Sequence, residues 1–215
     1  MQIAFDFVKG IVSGNDFVVE WCQNENLREW IQSLCTPSVI KQLKNLKGSG
    51  TYQCLQNRDF SIINCINEYL DLTTMLHEFE SYLNIHGIIK DIFSILYPEI
   101  IPTTWYYDEY SFFLTVMGDY LGGPEVDNII WEIVQSYPPK MGKAKRKKAV
   151  KEKLKEVFHL EKGHYPIWVQ DAEWPAYEGR PMQYVSRKRV GDSDLVLFTF
   201  RDVETGKTRI VEQCY

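Results

Sequence analysis

Gly163-His-Tyr-Pro-Ile-Trp-Val-Gln-Asp-Ala-Glu-Trp-Pro175 decides how this chain is read. Two of the six tryptophans and two of the nine prolines fall within these thirteen residues. Buried aromatic rings supply large packing areas with fixed geometry. Each proline fixes its own φ and restricts the residue before it. Such a stretch specifies one local shape. It also stands where the hydrophobic period changes, from helical spacing before it to alternation after it.

Downstream, residues 182–188, 194–201 and 207–213 read as strands. Leu195, Leu197 and Thr199 alternate with Val196, Phe198 and Phe200, and Glu204-Thr-Gly206 supplies a hairpin turn. Two or three strands do not stand alone and need a covering surface. Trp168 and Trp174 are the expected cover, a structural role.

Upstream, the first 35 residues read as short helices. Phe5, Val8 and Val12 share one face, and Ser13 or Asn15 caps the segment carrying Phe17, Val18 and Trp21. Asn24 or Asn26 caps a third, with Leu27, Trp30, Ile31 and Leu34 at helical spacing. Thr36-Pro37 is an N-cap followed by proline at the first helical position, with Val39, Ile40, Leu43 and Leu46 inward and Gly48-Ser-Gly50 as the stop. Residues 60–97 carry one long apolar stripe that Gly87 is expected to break or kink. A helix over 105–120 and another after Gly122-Gly123-Pro124 complete the pattern. The latter has Glu125 and Asp127 in its first turn and Ile129, Ile130, Ile133 and Val134 inward. The fold class is mainly α, a multi-helix body over 1–160, with a small C-terminal antiparallel β-sheet over 161–215 packed on it (α+β).

The chain has 215 residues, 45% hydrophobic and 25% charged, the composition of an ordinary globular protein. No apolar run approaches the roughly 18 residues that span a bilayer. The opening MQIAFDFVKG carries an early acid and lacks the pattern of a signal peptide. Both point to the cytoplasm. Five widely spaced cysteines without a CxxC suggest neither a disulfide framework nor a zinc ribbon, but mostly buried thiols.

Charge is distributed unevenly. Residues 1–139 carry 18 Asp/Glu against 7 Lys/Arg, and residues 140–215 carry 11 against 17. Such asymmetry bears on partners and steering more than on fold. Nine Lys/Arg lie in 140–155, yet Val150, Leu154, Val157 and Phe158 mark one helix face there. The segment is an amphipathic packed helix, read either as a solvated basic face or as a phosphate-contacting one. Against nucleic acid stand the acidic pI near 5.5 and the lack of aromatics between Gly142 and Lys155.

No GxSxG, HExxH, Walker or GxGxxG pattern occurs. His159-x-Glu161-x-x-His164 crosses a helix end with Gly163 inside, so no tetrahedral ligand geometry follows. No metal, cofactor or catalytic residue is assigned. The acids Asp108, Glu109, Asp119, Glu125 and Asp127 are interleaved with tyrosines, Tyr110 among them. This composition suits three uses: a pair of carboxylates with split pKa values, helix-end charges, or a docking surface for a basic protein.

Several phrases together carry a resemblance. FDFVKG, FVVEW and LREWIQSL near the start, GKAKRKKAVKEKLKEVFHLEKG, YPIWVQDAEWP and VLFTFRDVETGKTRIVEQCY are similar to bacterial immunity-type proteins of polymorphic or contact-dependent toxin systems. The resemblance implies a cytoplasmic, non-enzymatic binder that neutralises a cognate toxin with a basic surface, and Asp108, Glu109, Tyr110, Asp119, Glu125 and Asp127 are then the partner-binding set. Two other readings stay open: a nucleic-acid-binding regulator using the basic helix 143–155, and a hydrolase using the 105–127 carboxylates or His159/His164.

Overall fold

Local capping shapes the first half of the chain. The Ser13 hydroxyl accepts the Asp16 N–H, the Asn24 side chain accepts that of Leu27, and Thr36 accepts that of Val39. These bonds satisfy donors that a helix start leaves open. They open α2 (Gly14–Gln23), α3 (Glu25–Leu34) and α4 (Pro37–Leu43), after α1 (Gln2–Lys9). In this computed structural model, residues 1–46, 51, 55, 61–161, 163–191 and 193–215 are described. Gly48 to Gly50, expected to stop α4, lie outside them, and Leu46 at the end of that stretch is exposed. As the periodicity indicates, the described residues are mainly helical, with a small antiparallel sheet at the C-terminal end. They form two compact units, Met1–Tyr110 and Ser111–Tyr215.

In the first unit the long stripe forms two helices, α5 (Ile62–Glu68) and α6 (Met75–Leu96). The break falls at residues 69–74, where Asp71 accepts the Thr73 N–H and Thr74 caps α6 through His77 N–H. Gly87 does not break α6, which runs through it. A mid-helix glycine costs only about 1 kcal/mol relative to alanine. The burial of Ile85, Ile88, Ile89 and Ile92 around it outweighs that. α1, α2, α4 and α5 pack on α6. Phe7 and Phe17 stack at its side with centroids 4.3 Å apart. α7 (Trp105–Met117) begins in this unit and ends three residues before the expected Tyr120, at Gly118 with φ 63°.

The second unit holds the rest of α7, α8 (Asp127–Gln135), a short 3-10 turn (Pro139–Met141) and α9 (Lys143–Val157). Ile130, Trp131 and Val134 are the buried face of α8. Ile129 and Ile133, expected inward, are half-buried. β1 (Ala176–Tyr177) pairs with β2 (Arg180–Pro181), a hairpin the alternation did not reveal. β3 (Gln183–Arg189), β4 (Leu195–Arg201) and β5 (Thr208–Cys214) form an antiparallel sheet in that order. Val196, Phe198 and Phe200 face inward. Trp168 lies 4.7 Å from Phe198, and Trp174 packs edge-on against Phe158 and Phe200, each at 5.3 Å. The buried amide of Gln213 accepts the Val169 and Gln170 N–H groups and donates to Asp171. The tryptophan segment is thereby bonded to β5 as well as packed on the sheet.

Cysteine usage differs from the expectation of mostly buried thiols and no disulfide framework. Cys65 is disulfide-bonded, and Cys54 lies outside the described residues. Cys22 and Cys214 are exposed thiols. Cys35 is a buried thiol, and burial pushes it up to about 11.

Candidate functional site

Glycine lets α1 turn sharply into α2. Gly10 has φ +76°, and a Cβ there would lie 2.9 Å from that of Thr103. The loop after α6 is drawn in at the same point, since Thr103 N–H donates to the Val8 carbonyl. His86 Nε2 meets that carbonyl too, at 3.1 Å. A carbonyl only accepts, so the proton sits on Nε2. Burial holds His86 below the usual imidazole range, and Lys90 adds to this.

This backbone junction leaves large apolar side chains outside. Ile101 is 85% exposed, Ile11 71%, Tyr107 69% and Trp105 46%. Residues 99–107 border three neighbouring hollows in the first unit. One is a cleft of about 390 Å³ walled by the α1–α2 turn, α6 and the start of α7. Phe79, Tyr82, Trp105 and Tyr106 give it aromatic sides. The Tyr82 hydroxyl donates to Glu78. Burial raises the pKa of both phenols, that of Tyr106 to about 12, so both stay neutral.

The six residues read as partner-binding separate between the units. Asp108, Glu109 and Tyr110 lie in the first. Asp108 is exposed and accepts the Thr104 hydroxyl at 2.7 Å. Glu109 is only 5% exposed, and Tyr110 donates to Glu80 at 2.8 Å. Asp119, Glu125 and Asp127 lie in the second. Asp119 is exposed. Glu125 grips Arg209 at 2.6 and 2.8 Å and accepts the Ala176 N–H, and the Arg209 bond holds its carboxyl below the usual range. Asp127 accepts the Gly123 N–H and anchors the start of α8. Tyr107 is one of the tyrosines interleaved with the acids in sequence, while Trp105, Ile101 and Ile11 were not read there as site residues; helical spacing alone does not say which aromatic faces solvent.

The basic helix also divides. Lys143, Lys145, Lys148 and Lys155 are exposed on α9. Arg146, within the basic run that could contact phosphates, is buried: its guanidinium donates to the Tyr137 and Val134 carbonyls and lies 4.2 Å over the Phe112 ring. It caps the end of α8.

Glu161 and His164 form an isolated backbone bridge. Among the described residues, no group of three His, Cys, Asp or Glu is placed to hold a metal ion, and no helix is long and apolar enough to cross a membrane. Compared with known proteins, the chain matches no family model, no curated protein and no solved structure.

Proposed function

We propose that this chain is a non-enzymatic protein-binding protein of the bacterial immunity type, which docks a basic partner, a cognate toxin, on the first unit. The observation that carries this reading is the exposure of Ile11, Ile101, Trp105 and Tyr107 in the first unit, with Asp108 exposed next to Tyr107 in sequence. Tryptophan and tyrosine anchors rimmed by charge are the composition of interface hot spots. Residues 1–110 hold 14 Asp/Glu against 7 Lys/Arg, which favours encounter with a positive surface.

The test is binding to the product of the neighbouring gene, measured by calorimetry. Tyr107→Ala and Ile101→Asp should each weaken it at least about tenfold, the loss of a hot-spot contact. Asp108→Lys should slow association in low salt, whereas Glu125→Lys should lower stability and leave the rate unchanged. A partner indifferent to Tyr107 and Ile101 refutes the surface. The exposed lysines of α9 support a second reading, nucleic-acid binding; salt-dependent retention of DNA or RNA lost on neutralising Lys145 and Lys148 would replace the first.

The reading places the protein in the cytoplasm, where thiols are ordinarily kept reduced, and the disulfide at Cys65 stands against that part of it. Alkylation of protein taken directly from cells tests this at Cys65. A disulfide present there in the cell would move the protein to an oxidising compartment.

A further inference from the structure

We propose that the 390 Å³ cleft of the first unit receives an arginine side chain presented by the basic partner, between Ile11 and Gly14 of the α1–α2 turn, Phe79 and Tyr82 of α6, and Trp105 and Tyr106 of α7. This deepens the proposed function and rests on it. Three features select the occupant. The walls are aromatic, and a guanidinium stacks on such faces while its methylene stem packs against apolar surface. Trp105 packs edge-on against Phe79 and Tyr106, at 5.4 and 4.9 Å, and keeps nearly half of its surface open.

The lining itself is uncharged, and two carboxylates stand behind it, each bonded to a lining hydroxyl: Glu78 accepts from Tyr82, and Asp16 accepts from Ser13 at 2.7 Å. The start of α2 also borders the cleft, and a helix start ordinarily attracts anions. Here two of its donors are already engaged. Asp16 N–H goes to the Ser13 hydroxyl and Phe17 N–H to the Ser13 carbonyl, and the Asp16 carboxylate sits in the first turn and accepts the Ser13 hydroxyl. An anion would lie near two carboxylates. A neutral apolar side chain would fill the volume and leave the carboxylates unused. Arginine uses both walls and charge.

The probe is the peptide acetyl-Gly-Arg-Gly-amide, titrated into the ¹⁵N-labelled full chain, beside peptides carrying citrulline or leucine in place of arginine. The arginine peptide should give saturable shifts at the amides of residues 10–15 and at the Trp105 indole. Citrulline, which keeps shape and loses charge, should bind at least about fivefold more weakly. Glu78→Gln, which preserves an acceptor for Tyr82, should weaken the arginine peptide about three- to fivefold, and Trp105→Ala should abolish the response. Equal binding of citrulline or leucine, or no saturable shift at these sites, overturns the proposal. The citrulline comparison needs no variant and does not depend on how a substituted protein folds. A partner that is weakened by Tyr107→Ala but indifferent to Glu78→Gln overturns the cleft and leaves the docking surface standing. A partner indifferent to Tyr107 and Ile101 removes the docking surface instead.

Discussion

One methyl group added at Gly14 should unfold this protein more easily, and the same group added at Gly87 should do the opposite. Both residues are helical and neither needs a positive φ. A Cβ at Gly14 would stand 2.3, 2.5 and 2.7 Å from three atoms of Tyr82, where relaxed carbon contacts are about 3.5–4.0 Å. The ring must therefore retreat by about 1 Å. It is buried, and its hydroxyl is tied to Glu78, so retreat compresses the core or breaks that bond. Overpacking of this kind costs about 1–3 kcal/mol. Alanine returns less than about 1 kcal/mol of helix propensity at the first turn. The net loss is about 1–2 kcal/mol, a fall of roughly 0.5–1 M in the urea midpoint. At Gly87 nothing lies within 4 Å of the added atom. Gly87→Ala keeps the propensity gain and should raise stability by about 0.5–1 kcal/mol. Urea unfolding of the two variants beside the parent is the assay. A Gly14→Ala protein as stable as the parent would show that the α2–Tyr82 approach is not tight and that the adjoining cleft wall is soft.

Trp174→Ala should cost about 3–5 kcal/mol, since the indole is fully buried between Phe158 and Phe200. Trp174→Phe isolates the bond from Nε1 to the Met182 carbonyl and should cost about 1–2 kcal/mol; equal losses in the two variants would refute the packing account. Arg146→Met should cost roughly 1.5–3 kcal/mol by thermal or urea unfolding, because two carbonyls near the end of α8 lose a charged donor. Arg146→Lys should not restore the parent, for an ammonium cannot reproduce the fork of a guanidinium. His86 sets a pH dependence. Its folded pKa lies below the unfolded value near 6.5, so the folded state holds the ring neutral. Stability is then full above about pH 6.5 and falls as pH drops below it, because the unfolded chain takes up the proton first. The urea midpoint should decline from pH 7 to pH 5, and less so in His86→Gln; equal slopes would remove this assignment.

Local interactions were the legible part of the fold. Ser13, Asn24 and Thr36 cap helices through bonds to backbone three residues away, so sequence alone holds all the participants. The strand alternation at 195–200 is similarly local. What sequence did not resolve depends on distant partners. The stripe through Tyr69, Leu70 and Leu76 keeps helical spacing across a real break, because the bonds of Asp71 and Thr74 compete with a hydrophobic pattern that looks continuous. Arg146 counts as one more charge in a basic run until Tyr137 and Val134 supply carbonyls for it. Trp105 and Tyr106 are neighbours of the same chemical type, yet one is half exposed and the other buried beside Phe7 and His86. Only the surrounding helices decide that difference.

The same dependence on partners sorts the acidic residues, and it explains why a charge count is a poor map of a binding surface. A carboxylate bonded to a guanidinium presents little field beyond the pair, while one bonded to a neutral hydroxyl keeps its full charge toward solvent. Glu125 is of the first kind, held by Arg209 and turned to joining the approach of α8 to β1 and β5. Asp127 serves the start of α8, and Glu109 is buried. Asp108 is of the second kind, exposed, bonded to Thr104 and one residue from the outward ring of Tyr107. A docking surface needs apolar contact for affinity and uncompensated charge for encounter. Within residues 105–127 the start of α7 supplies both requirements, with Trp105 and Tyr107 exposed and Asp108 keeping its charge toward solvent, so the proposed docking role of the acidic segment rests on its first turn.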